Sequence, residues 1–190
     1  MIVLGIDPGP EKSGVVVYAV EDMDIISSSD DFRNEPLLYI LRHGWMVNPR
    51  DNMRLDISIV FIETIEAMGL TVGKSTFETM QWVGRFREAW EGAGVINGGT
   101  GSVHLVSRGD EKVFLCGAMT CRDPITGRAK AVSDAQIKAA IKDKFLPTGG
   151  GKNPVVGTKK QPGPLYGVKG HAWSALAVVL TGLETMRGIR

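Results

Sequence analysis

The run Ile2-Val-Leu-Gly5-Ile-Asp7-Pro-Gly9-Pro-Glu-Lys-Ser-Gly14-Val-Val-Val-Tyr-Ala-Val20 sets the architecture of the chain. An apolar run ending on an acid predicts a buried strand over Ile2–Asp7. A Pro/Gly-rich turn over Pro8–Gly14 and a β-branched run over Val15–Val20 complete a β-hairpin. Outward from it, a short third strand is expected around Ile25–Ser28, then a helix near Asn34–His43 with Leu37, Leu38, Ile40 and Leu41 on its apolar side. Ile57-Ser-Ile-Val-Phe-Ile-Glu63 follows, a nearly continuous apolar run of the kind found in central strands covered on both faces, and it too ends on a carboxylate.

The second half alternates helix and strand. Apolar spacing predicts a helix over Gly73–Gly92 and a fifth strand over Val103–Val106. Ser133 with Gln136 forms a capping box opening a helix from Asp134 to about Phe145, and a last helix runs from about His171 to Met186. Between them, residues 147–170 are rich in Gly, Pro and Lys and read as a long, flexible basic loop. Hairpin, strand, helix, buried strand and then alternating elements make an α/β fold with a mixed sheet between helices. At 190 residues this is expected as a single domain over 1–190.

Composition limits the function classes. Apolar residues at 43% and charged residues at 23% are those of a globular protein, not of a disordered or membrane one. The start carries no basic lead and the apolar run Ala175–Leu180 is too short to span a bilayer, so a cytoplasmic protein with no membrane partner is expected. Cys116 and Cys121, the only cysteines, are spaced neither as a redox pair nor as half of a zinc site, which suggests reduced structural thiols. The net charge of +1 conceals an asymmetry: residues 1–60 carry five Lys/Arg against ten Asp/Glu, residues 121–169 ten against three. A polyanion binder needs such a local basic face rather than a basic average.

If the first and fourth strands lie side by side and parallel, Asp7 and Glu63 meet at their ends. Two neighbouring carboxylates repel unless they share a proton or hold a cation, and oxygen donors suit Mg²⁺ or Mn²⁺. Carboxylate-held divalent ions hydrolyse phosphodiesters, which makes a nuclease a concrete reading. Taken singly, an Asp before Pro-Gly is usually a turn residue and a strand-terminal Glu a solvated one.

Gly5-Ile-Asp7-Pro-Gly9 with Gly14, followed by Ile62-Glu63, resembles the first two active-site elements of the RuvC-type Holliday-junction resolvases. Gly170-His171-Ala-Trp-Ser174-Ala-Leu-Ala-Val178 resembles that family's final helix, where an Asp or His is followed three residues later by Asp. Phe77-Glu-Thr-Met-Gln-Trp-Val-Gly84-Arg-Phe86 and Pro162-Gly-Pro-Leu-Tyr-Gly167 are similar to members of phage or prophage type. The resemblance implies an RNase H-like, five-stranded sheet with its second strand antiparallel and helices on both faces. It also implies a Mg²⁺- or Mn²⁺-dependent endonuclease that cuts branched DNA as a homodimer in a bacterial or phage-infected cell. Asp7, Glu63 and His171 are then the catalytic and metal-site residues, with His171 a Mn²⁺ ligand, a general base or a phosphate-positioning group. The departure is Ser174: a hydroxyl stands where the pattern has its last carboxylate, which puts a second metal position in question.

For DNA contact the best candidates are Lys159, Lys160 and Lys169 with the Tyr166 ring, able to stack on an unpaired base, and Lys74 at a helix start. Gly69-Leu-Thr-Val-Gly73-Lys74-Ser75 is one residue short of a P-loop, and Asn97-Gly-Gly-Thr-Gly101 precedes a strand rather than a helix, so neither reads as a nucleotide site. Asp134 has a sufficient structural reason beside its cap. Two competing readings stand beside the nuclease: a catalytically weakened branched-DNA-binding protein on the same scaffold, and an actin-like kinase or ATPase, against which the presence of only one lobe argues.

Overall fold

The computed structural model describes residues 1–66, 73–97, 102–122 and 127–188. The loop segments 69–72 and 98–101 weighed above as nucleotide sites therefore lie outside the described residues. The chain forms two compact units, residues 1–106 with 168–190, and residues 107–167.

The first unit is built on a five-stranded sheet of β1 (Ile2–Asp7), β2 (Lys12–Ala19), β3 (Asp24–Arg33), β6 (Ile59–Thr64) and β7 (Val103–Ser107), in the order β3-β2-β1-β6-β7. The short pair β4 (Trp45–Val47) and β5 (Arg54–Asp56) forms a separate antiparallel ribbon. β2 runs antiparallel to β1 and β3, and β6 runs parallel to β1, as the resemblance implied. The second strand begins three residues before its expected start and the third extends to Arg33, because Ser13 and Phe32 continue the ladder past the turn.

Alternation along the central strands divides the core between two helix layers. Leu4, Ile6, Val60 and Ile62 pack with Leu37, Leu38 and Leu41 of α1 (Asn34–His43) and with Val83, Phe86, Ala89 and Trp90 of α2 (Lys74–Asn97). The opposite side, carrying Val3, Gly5 and Phe61, is covered by α5 (Ala172–Gly188), nine of whose residues are buried. Glycines permit that closeness. A Cβ on Gly5 would lie 2.5 Å from the Ala175 carbonyl oxygen, and one on Gly182 would enter the fully buried Phe61 ring.

The second unit holds α3 (Arg108–Cys116), the ribbon β8 (Thr120–Arg122) with β9 (Ala129–Ala131), and α4 (Asp134–Lys142). Both helices open on a complete capping box, Ser107 with Asp110 and Ser133 with Gln136. The first of these helices and all three-residue strands were not anticipated. Cys116 and Cys121 are free, and burial, with Cys121 nearby, pushes the Cys116 thiol up, away from nucleophilic reactivity.

Residues 147–167 contain no helix and no strand longer than a single bridge between Gly157 and Pro162, yet they make their own framework. The Gly149, Gly150, Gly157 and Gly163 amides donate to the carbonyls of Pro154, Gln161, Asn153 and Val156. Gly149, Gly157 and Gly163 sit where backbone crosses backbone with no space for a side chain. Among the described residues no helix is long and apolar enough to cross a membrane.

The glycine contacts give a paired prediction. Gly5→Ala should lower stability by about 1–3 kcal/mol, because the new methyl would meet the Val179 side chain and the Ala175 carbonyl oxygen, and the latter is backbone and cannot turn aside. Gly84→Ala, in the exposed interior of α2 with open space around it, should raise stability by about 0.5–1 kcal/mol. Urea unfolding midpoints of the two variants, moving in opposite directions, check both.

Candidate active site

The parallel register pairs Leu4 with Val60, Gly5 with Phe61 and Ile6 with Ile62. Continued by one residue, it sets Asp7 beside Glu63 at the carboxyl ends of the two central strands. In-register neighbours of a parallel pair point to the same side, and adjacent strands lie about 4.8 Å apart. The two acids are thus neighbours by backbone geometry. They border a cleft of about 330 Å³ lined by Asp7, Pro8, Gly9, Pro10, Glu63, Ile65, Ser75, Thr76, Thr79 and His171.

His171 stands immediately before α5, and its Nδ1 lies 2.9 Å from Asp7 Oδ2. An ionised carboxylate can only accept, so Nδ1 carries the proton of this hydrogen bond, and in the neutral imidazole Nε2 is the nitrogen with the lone pair. The His171 side chain is 75% exposed, whereas Asp7 is 15% exposed. The imidazole therefore faces solvent and the cleft, while the carboxylate it orients is largely enclosed. Gly14, opposite Asp7 in the β1–β2 ladder, makes this approach possible: a Cβ there would lie 2.4 Å from the His171 carbonyl oxygen.

The turn after Asp7 is clamped from two helices. Asn34, 1% exposed at the start of α1, accepts from Ser13 Oγ at 2.7 Å, donates from Nδ2 to the Gly9 carbonyl at 2.9 Å, and donates its own amide to the Glu11 carbonyl at 3.1 Å. Trp82 of α2 donates its indole N–H to the Pro10 carbonyl at 2.8 Å, and the Arg85 guanidinium lies 3.9 Å over the Trp82 ring. Every member of this small network is satisfied, so it fixes the turn instead of straining it. None of Asn34, Ser13, Trp82 or Thr79 was singled out from sequence. An Asn three residues before two leucines is an ordinary helix-start signal, and only the tertiary structure turns it toward the Asp7 turn.

Of the residues expected at a site, Asp7, Glu63 and His171 come together. Ser174 is half-buried and does not line the cleft. Lys74 is 91% exposed and pairs with Glu78 at 3.5 Å, outside the cleft lining. Lys159, Lys160 and Tyr166 are exposed on the second unit, the two lysines inside the turn that Thr158 and Gln161 close with reciprocal backbone hydrogen bonds. Lys169 is exposed in the first unit, two residues before His171. Asp134 pairs with Arg108 within the second unit, in keeping with a structural role. Asp7 and Glu63 offer hard oxygen donors. Among the described residues no three His, Cys, Asp or Glu side chains converge as a ready-made metal cage.

No protein-family model matches the chain, and no curated protein does. Solved structures do. A Thermus thermophilus RuvC structure matches with a TM-score of 0.58 at 17% identity, over 98% of this chain and 96% of that one. A T. thermophilus RuvC structure in complex with Holliday junction substrate matches with a TM-score of 0.53 at 18% identity, over 98% and 95%. At such identities the likeness is one of architecture, and with the strand order above it fixes the fold: a mixed five-stranded RNase H-like sheet with helices on both faces, the fold of RuvC.

Proposed function

We propose that the chain is a divalent-metal-dependent, structure-selective DNA endonuclease that hydrolyses phosphodiesters in branched DNA such as Holliday junctions. The observation that carries this reading is the adjacency of Asp7 and Glu63 at the ends of two parallel central strands, in a cleft that His171 also borders. The likeness to RuvC, one of whose structures holds a Holliday junction substrate, supports the choice of branched DNA.

The donor set fits a hard cation. Mg²⁺ binds through one or two carboxylates and completes its shell with water and substrate phosphate oxygens, so a pair of acids without a full protein cage suffices. Asp7 and Glu63 would hold Mg²⁺ or Mn²⁺, with His171 as the third residue of the site. Such an ion supplies Lewis-acid stabilisation of the phosphoryl oxygens and a water of lowered pKa. Asp7 fixes the imidazole tautomer through the bond to Nδ1, which leaves Nε2 able to accept a proton from attacking water or to face a phosphate oxygen. The Asn34 and Trp82 clamp keeps the turn after Asp7 still as substrate enters. Paired incision of a four-way junction requires two such clefts, so the working form is a homodimer, a member of RuvC-like type as found in phage or prophage. Lys74, Lys159, Lys160, Tyr166 and Lys169 are proposed DNA contacts away from the reacting phosphate.

Ser174 favours a second reading, a branched-DNA-binding protein that has lost cutting, because it removes a carboxylate from the family pattern. A panel of Holliday junctions, forks, flaps, linear duplex and RNA–DNA hybrid, each with Mg²⁺ and with Mn²⁺, separates the two. Preferential cutting of branched DNA, abolished by Asp7→Asn with binding largely intact, is the expected outcome. Tight junction binding with no cutting in either ion selects the second reading. His171→Ala should lower the cleavage rate by about 10²-fold or more, measured in single-turnover assays.

A further inference from the structure

Helix α2 changes chemistry along one face. Where it meets the sheet, the stripe is apolar and buried: Val83, Phe86, Ala89 and Trp90. One turn nearer its start the same stripe carries Thr79, and a turn before that Ser75 and Thr76. These three hydroxyl residues line the cleft together with Asp7, Glu63 and His171, so the change from apolar to hydroxyl coincides with the helix passing the carboxylate ends of the strands.

Thr79 carries the argument. It is only 8% exposed, yet its hydroxyl makes no hydrogen bond with the described residues. Valine has nearly the same shape and no polar group, so the threonine adds to the cleft lining a hydroxyl that no described residue engages. The helix end beside it is also prepared for an anion. Gly73, ahead of α2, has no side chain with which to cap it, and its carbonyl is shared between the Thr76 and Phe77 amides at 3.1 and 3.3 Å. No acid stands in the first turn, and Glu78 is engaged by Lys74. The positive end of a 24-residue helix is thus unneutralised by its own first turn.

We propose that the start of α2 is a phosphodiester-binding wall. The Thr79 hydroxyl donates to a non-bridging oxygen of a backbone phosphate lying in the cleft, and the helix terminus with Ser75 and Thr76 holds the same anion. This rests on the reading of the cleft as a nuclease site and adds what that reading lacks, a donor set facing a substrate that two carboxylates would otherwise repel. It makes Thr79 a substrate-binding residue that sets where the phosphate lies relative to Asp7 and Glu63.

The test uses the full-length ¹⁵N-labelled protein with Mg²⁺ and the dinucleotide d(TpT), followed by amide shifts, with its uncharged methylphosphonate analogue as control. The expected result is that d(TpT) shifts the amides of Ser75, Thr76 and Thr79 while the analogue does not. Thr79→Val should weaken d(TpT) binding about tenfold, as for loss of a hydrogen bond to a charged group, without lowering the melting temperature, and Thr79→Ser should bind like the parent. Equal binding by Thr79→Val and the parent, equal binding of the uncharged analogue, or unfolding of Thr79→Val would overturn the proposal. The two readings fail separately. If Asp7→Asn leaves cutting unchanged while d(TpT) still binds through Thr79, the nuclease assignment falls and the wall stands. If Asp7→Asn abolishes cutting and Thr79→Val binds d(TpT) unchanged, the reverse holds.

Discussion

Two carboxylates ending neighbouring strands in register are an arrangement that folding by itself disfavours, and much of the first unit is organised around maintaining it. The repulsion cannot be relieved by sliding β6 along β1. Both strands are buried on both faces, and a shift of β6 by one residue would turn Val60 and Ile62 out of one helix layer and into the other, away from Leu4 and Ile6. The apolar core therefore imposes the position of Asp7 and Glu63, and hydrophobic burial over two faces outweighs the local electrostatic cost at the strand ends. The imidazole hydrogen bond relieves part of that cost at Asp7.

The same logic explains why the surroundings of the acids are so completely tied down. Asn34, Ser13 and Trp82 hold the turn that follows Asp7, each through a group that would be costly to bury unpaired. The site is supported by α1 and α2 on one side and by α5 on the other, so each helix that closes the core also contributes a contact to the cleft or to the turn beside it. Rigid elements of this kind hold reacting groups more closely than loops do.

The parts legible from sequence are those in which one residue contradicts its surroundings. Asp7 and Glu63 each end an apolar run, and that contradiction, with the glycines at 5, 9 and 14, was enough to predict the central pair and its acids. Ser133 with Gln136 marked α4 correctly. The equivalent box of Ser107 and Asp110 was equally visible, but the nine residues of α3 bury only Glu111 and Leu115, too few for a periodic signal. The three-residue strands β4, β5, β8 and β9 are shorter than any alternation can reveal. Asn34 and Thr79 were illegible for another reason: their types are commonplace at helix starts and on helix faces, and only their burial against the Asp7 turn or the cleft gives them meaning. The Gly and Pro content of residues 147–167 was read as a loop, which it is, but composition could not reveal that several of those glycines stand at backbone crossings.

Helix α5 is keyed into the sheet at three places where a side chain is missing, Gly5, Gly14 and its own Gly182. Such a helix cannot shift along its axis or roll without collision, so His171, at its leading end, inherits its position from the core. The imidazole can swing on its own bonds, but its Cα has no independent adjustment. Packing and chemistry in this protein therefore share one mechanical part. The packing along α5 and the Asp7–His171 hydrogen bond at its leading end are therefore one connected unit, and a substitution in the helix interior bears on the cleft without touching it.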